Sequence, residues 1–219
     1  MKKILLMASA ILFTSAYAYA DIRVGISGAF TSFQTEGTET TKSSAEKNEG
    51  SKDESALVPS IFVEKSMESG RTFGLEIVPG SADLGSGTGA DDDAETSGAN
   101  KASAEVSGHI TAYALFPVGS NGVYVKGGIA RASVDTKETL ATGTTYGNEN
   151  VNGLVLGLGV NRDLSNGLFL RTEASYTNYQ ELNFDGSLNG NAVGDSAVRN
   201  TIDADIDAFA LRISIGKAF

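Results

Sequence analysis

The chain has 219 residues, with 17 Lys and Arg against 27 Asp and Glu, a single His and no Cys or Trp. Its net charge of −10 disfavours a polyanion such as nucleic acid as partner, and no basic cluster with interleaved aromatics offsets that balance locally. The lack of Cys excludes disulfides, thiolate metal centres, a cysteine nucleophile and a lipidated N-terminal Cys, so stability must come from backbone pairing and burial.

At the N-terminus Lys2 and Lys3 precede an apolar run over 4–13, and Ala18-Tyr19-Ala20 follows as a small-x-small cleavage site. This is the pattern of a secretory signal peptide over 1–20, too short to span a bilayer, which needs about 20 apolar residues. Without those residues the chain loses two lysines and no acid, leaving fifteen basic against 27 acidic side chains. Residues 21–219 read as one domain with no linker-like break, and no later segment is long and apolar enough for a transmembrane helix.

From residue 22 onward, short segments alternate apolar and polar residues with period two, the signature of strands. Ile22, Val24 and Ile26 interleave with Arg23, Gly25 and Ser27; Phe73, Leu75 and Ile77 with Gly74, Glu76 and Val78. Leu154, Leu156, Leu158 and Val160 are set against Gly153, Val155, Gly157 and Gly159, and Phe209, Leu211, Ile213 and Ile215 against Ala210, Arg212, Ser214 and Gly216. Eight strands are predicted, at 22–32, 56–67, 72–80, 104–117, 122–134, 151–162, 167–179 and 204–219. Several reach the roughly 9–11 residues that a tilted strand needs to cross a membrane.

The connections alternate in length. Short turns are predicted at 68–71, 119–122 and 163–167, and long polar loops at 31–55, 81–103, 135–150 and 180–203. In an up-and-down barrel every second connection lies at the same rim, so this pattern means one tight rim and one elaborated rim, as in outer-membrane barrels with tight periplasmic turns and longer external loops. An even strand count puts both chain ends at the periplasmic rim. A soluble β fold also buries one face and wets the other; the systematic loop alternation and a terminal Phe219 after alternating apolar positions speak against it.

On these residues the chain resembles the small eight-stranded outer-membrane barrels, the opacity-like, OmpA-like and OmpX-like proteins, over essentially all of 21–219. The most specific element is the last strand: Phe219 with Leu211, Ile213 and Ile215 at every second position upstream looks like the family's assembly signal, although Lys217 stands where an apolar residue is usual. The resemblance implies an all-β, antiparallel transmembrane barrel in the outer membrane of a Gram-negative-type bacterium. It also implies contact with membrane lipid and lipopolysaccharide, and insertion by the barrel-assembly machinery acting on the last strand. A monomer is expected. Phe33 and Tyr179 are expected at the external interface and Phe116 and Phe219 at the periplasmic one, while the parity turns Tyr124 and Phe169 inward.

With the apolar set toward lipid, the lumen receives Arg23, Glu76, Lys126, Arg171, Glu173 and Arg212. An eight-stranded barrel is only wide enough for side chains to fill, and unpaired buried charge is costly, so these residues are expected to form a paired structural network, with Glu173 beside Arg212. That predicts a plugged polar lumen with a structural or surface-interactive role. A narrow porin-like channel is the alternative, and a lipid-modifying enzyme comes third. The inward Gly153, Gly157 and Gly159 are expected to make room for bulky neighbours.

Chemistry is thinly represented. Lipid-modifying relatives use a His with a Ser or acidic partner, but nothing of that constellation carries over to His109, so no catalytic residue is assigned. Asp91, Asp92, Asp93 and Glu95, and the run Asp203, Asp205 and Asp207, match no calcium-loop spacing and are expected to be solvated; no metal and no cofactor are expected. The long loops, rich in Thr, Ser, Gly and acids, with Phe33, Tyr146 and Phe184 as rare aromatics, are expected to be disordered, shielding or weakly adhesive surface.

Overall fold

The computed structural model describes residues 22–40, 47–91, 98–140, 144–188 and 201–219. The segment expected to be a signal peptide lies outside them, as do Asp92, Asp93 and Glu95. The strands are β1 (Ile22–Thr40), β2 (Lys47–Ser66), β3 (Thr72–Ile77), β4 (Ser81–Asp91), β5 (Gly98–Pro117), β6 (Val123–Thr139), β7 (Thr144–Thr145), β8 (Asn148–Asp163), β9 (Leu168–Tyr179), β10 (Leu182–Asp185), β11 (Ser187–Leu188) and β12 (Thr201–Ala218). Antiparallel pairing runs β1-β2-β3-β5-β6-β8-β9-β12 and closes with β12 on β1, from Arg23↔Ala218 to Thr40↔Thr201. β4 continues the stave begun by β3 and pairs with β5. The result is a ring of eight staves with no free edge below the level of Ile61 and Ile77.

Closure explains why these sequences form strands. In lipid every backbone N–H and C=O must find an internal partner, and a closed ladder supplies one at each position. The alternating segments then place their apolar members outward: Ile26, Leu75, Leu156 and Ile213 are each more than half exposed. At the tight rim the turns use left-handed backbone: Gly70 (φ 79°), Gly119 (φ 69°) and Asn166-Gly167 (φ 61° and 74°) allow reversals that a β-branched residue would resist. The bonds Met67 N–H to Arg71 O (2.8 Å) and Leu164 N–H to Leu168 O (2.7 Å) lock two of them.

The structure corrects the reading of the long loops. Most of 31–55, 81–103, 135–150 and 201–203 is strand: the β1–β2 ladder runs without interruption to Thr40↔Lys47. Period-two apolarity reports a lipid face on one side of the sheet. Above the apolar belt neither face meets lipid, so the period vanishes, yet each further backbone pair still satisfies its N–H and C=O. A second correction concerns 180–188, expected to be disordered surface: Leu182 and Phe184 are buried inside the tall rim, and β10 pairs with β12 through Leu182↔Ala204 to Asp185↔Thr201. β11 pairs with β7 across that rim. The third stave, expected to run unbroken over 72–80, instead breaks at 78–80 between β3 and β4.

Candidate functional site: the closed lumen

Inward positions near the tight rim bring together three acids and three bases. Glu64 on β2 receives a two-pronged hydrogen bond from Arg171 on β9, Nη1 to Oε1 at 2.6 Å and Nη2 to Oε2 at 2.9 Å, plus the Tyr113 hydroxyl on β5 at 2.7 Å. The Arg171 guanidinium also lies over the rings of Phe62, Tyr124 and Phe169, 5.3–5.5 Å from their centroids. A planar, weakly hydrated cation suits such an aromatic enclosure better than an ammonium would.

The next tier up is a four-membered ionic cluster. Lys126 Nζ donates to Glu173 Oε1 at 2.9 Å and lies 3.5 Å from Glu76 Oε2. Arg212 hydrogen-bonds Glu76 and stands 3.8 Å from Glu173 Oε1, across the β9–β12 register pair Arg212↔Glu173. The hydroxyls of Tyr124 and Ser60 donate to Glu173 (2.8 Å) and Glu76 (2.6 Å), and Ser60 in turn bonds Ser27. Each carboxylate thus meets at least one cation and one hydroxyl, the arrangement that makes buried charge tolerable.

Of the six residues predicted to line the lumen, Glu76, Lys126, Arg171, Glu173 and Arg212 therefore lie in these two tiers. Arg23 is inward but enters no ion pair among the described residues; its guanidinium lies 5.4 Å over the Phe169 ring. Glu64 was missed. Its segment, Ala56-Leu57-Val58-Pro59-Ser60-Ile61-Phe62-Val63, is so continuously apolar that its parity is ambiguous; only the pairing Arg23↔Glu64 fixes it.

The inner face of the wall is built on small residues, both at the floor and, at Tyr179, above it. Five inward aromatics lie over the glycine directly paired with them on the neighbouring strand: Phe62 over Gly25, Tyr113 over Gly74, Tyr179 over Gly153, Tyr124 over Gly159 and Phe169 over Gly216. Gly157 is packed less tightly, beside the Cβ atoms of Lys126 and Ser175.

Two expectations fail higher up. The interior is polar only toward the tight rim: above the ion cluster it is lined by Phe33, Leu84, Val134, Val151, Val155, Tyr179, Ile206 and Ala208, which pack with Leu182 and Phe184 into one apolar cluster. Phe33 and Tyr179 are therefore not an interface girdle, because their strands' lipid-facing positions are the other parity. The outward aromatics at that level are Phe30, Tyr176 and Phe209, with Tyr176 paired to Phe209. At the tight rim Phe116 does face outward, and Lys217 Nζ lies 5.2 Å over the ring of Phe219. Leu211, Ile213 and Ile215 all face outward.

His109 sits at a β5 bulge, next to Gly108 (φ 58°), where the register with β6 shifts between Ser107 and Ile110. Its ring is edge-on to Tyr179 at 6.2 Å, and its buried Nδ1 has no hydrogen-bond partner among the described residues. Among those residues no group of three His, Asp or Glu is placed to hold a metal ion.

No protein-family model matches the chain, and no curated protein matches it. Among solved structures it is similar to the outer membrane protein OprG from Pseudomonas aeruginosa, at 16% identity over 91% of this chain and 96% of that one, with a TM-score of 0.54. Looser likenesses link it to the outer membrane protease OmpT from Escherichia coli (9% identity, 94% and 99% covered, TM-score 0.48) and to the Neisserial surface protein NspA (13% identity, 90% and 97% covered, TM-score 0.42). The closed eight-stave ring, the outward apolar belt and the likeness to OprG agree that the chain has the fold of a small eight-stranded outer-membrane β-barrel.

Proposed function

We propose that this chain is an integral outer-membrane barrel of a Gram-negative-type bacterium, exported through a signal peptide cleaved after Ala20, with a structural or surface-interactive role and no straight passage for solutes. One observation carries the reading: two tiers of ion pairs, with the Phe62, Tyr124 and Phe169 rings around Arg171, cross the lumen near the tight rim. Opening a straight water path would require several of these buried, mutually supporting ion pairs to come apart together, and breaking one such pair is costly. The reading is non-enzymatic, since the interior carboxylates and cations are engaged with one another.

Purified barrel in planar bilayers is expected to give no unitary current steps above the lipid baseline, while the unheated protein migrates faster on a gel than the boiled one. Regular steps from wild-type protein would favour the narrow-channel reading instead. The last strand is the proposed contact for the assembly machinery, with membrane lipid and lipopolysaccharide as the surrounding partners of a monomer. Removing Phe219, whose backbone N–H bonds Ile22 O at 2.9 Å, should at least halve the folded, membrane-inserted fraction in cells. Unchanged insertion would remove that role from the terminal residue.

A further inference from the structure

At the tight rim two cations converge on the outer face of the wall. Lys65 on β2 and Arg71, just before β3, are both exposed and share the outward parity of Leu57 on β2 and of Phe73 and Leu75 on β3. Lys65 lies opposite Phe73, and the bond from Met67 N–H to Arg71 O extends the pairing toward the turn, so Arg71 is the diagonal neighbour of Lys65. Such neighbours are about 7–8 Å apart, close enough for long side chains to meet one ligand. Among the described residues neither side chain is ion-paired or hydrogen-bonded, and neither is that of Glu68, the one acid in the turn between them.

From this pair an apolar groove climbs the lipid-facing wall. It begins at Ile22 and Lys65, passes Phe73 and Leu75, and reaches Ala112 and Gly127. It is a groove because β5 and β6 present small residues there; a Cβ on Gly127 would meet nothing within 4 Å. The register sets its direction. Opposite residues lead from Val24 through Val63, Leu75, Ala112 and Ile129, and on through β8, β9 and β12, back to β1 at Gln34, ten residues nearer the tall rim. Each step from β2 toward β6 therefore rises into the apolar belt, as the stagger of a closed barrel requires. Two cations at the low end and a bare groove rising from them match the two parts of a phospholipid, a phosphate and an acyl chain.

We infer that the barrel holds one phosphatidylglycerol-type lipid of the periplasmic leaflet here, its phosphodiester between Lys65 and Arg71 and one acyl chain over Ala112 and Gly127. The site rests on the membrane reading proposed above, which places the tight rim at a phospholipid surface. A phosphoglycerol headgroup brings net negative charge and gains from each basic side chain near that surface. An ethanolamine or choline headgroup carries its own cation beside the phosphate and leaves the two side chains uncompensated.

The test places the full barrel in phosphatidylcholine nanodiscs with a small fraction of lipid spin-labelled on an acyl chain and reads line broadening by methyl NMR. Labelled phosphatidylglycerol should broaden the Leu75, Ala112 and Ile129 methyls saturably, and before those of Leu170 and Ile213 on the far side of the ring. It should do so at about a tenth of the concentration that labelled phosphatidylethanolamine requires. Lys65→Gln with Arg71→Gln should abolish that tenfold preference, and Gly127→Leu should displace the label from Ala112. The folded gel shift should persist in both variants, because all three positions face outward. Equal broadening by the two lipids, or broadening spread evenly around the wall, would overturn the site; so would a preference unchanged in the double Gln variant. If Gly127→Leu does not fold, the broadening pattern of the wild-type barrel decides. A barrel that does not enter the bilayer at all would overturn the membrane reading on which the site depends.

Discussion

Glu64→Leu should lower the unfolding stability of the barrel by about 3–5 kcal/mol, one of the largest losses available from a single side chain. The Glu64 side chain is fully buried and accepts both prongs of Arg171, whose own side chain is 4% exposed. Removing the carboxylate strands a guanidinium among Phe62, Tyr124 and Phe169 and leaves the Tyr113 hydroxyl without its acceptor. The aromatic faces retain part of the cation's stabilisation, about 1–2 kcal/mol, which is too little to replace a charge-assisted fork. Denaturant midpoints in lipid vesicles, read from the gel shift between folded and unfolded forms, measure the loss. The double variant Glu64→Leu with Arg171→Met should recover most of it, because an apolar pair of similar volume removes both charges at once. Equal stability of Glu64→Leu and wild type would mean that the fork contributes nothing.

The second large effect is steric. Gly216→Val should destabilise by about 3 kcal/mol or more, since overpacking a filled interior costs about 1–3 kcal/mol where neighbours can yield. Here they cannot yield fully: a Cβ at this position would collide with the Phe169 ring and come within 2.7 Å of the Val24 carbonyl oxygen, which is fixed by the β1–β12 ladder. Gly28→Ala on the adjacent strand is the control. A Cβ there meets nothing within 4 Å, so that change should be neutral or raise stability by up to about 1 kcal/mol through the unfolded chain. Matching midpoints for the two variants would show that the ring can move aside without cost.

The two experiments separate what pairs the charges from what makes room for them, and both depend on register. Strands β9 and β12 pair Glu173 with Arg212 and Gly216 with Phe169, so the same alignment that joins an acid to a base also lays a ring over a glycine. A shift of one residue along that ladder would turn both sets toward lipid. The floor and the strand register therefore stabilise each other, which is why a closed lumen and a unique barrel go together in this chain.

By itself the sequence determined the parts governed by local periodicity. Leu154, Leu156 and Leu158 against three glycines, or Leu211, Ile213 and Ile215 before Phe219, can only lie on one face of a strand, and once lipid takes that face the facing of Glu173 and Arg212 follows. Tyr124 and Phe169 were legible as inward by the same rule. Tertiary structure decided the rest. Glu64 needed its partner strand, because an apolar run without alternation has no readable parity. The height of the polar hairpins needed the closed ladder below them, since backbone pairing continues where side-chain periodicity stops. The apolar upper lumen needed β10 to extend the wall above β9 by pairing with β12, and the break above β3 needed β4 to pair with β5 alone; both depend on which strand pairs with which, and no local pattern encodes that.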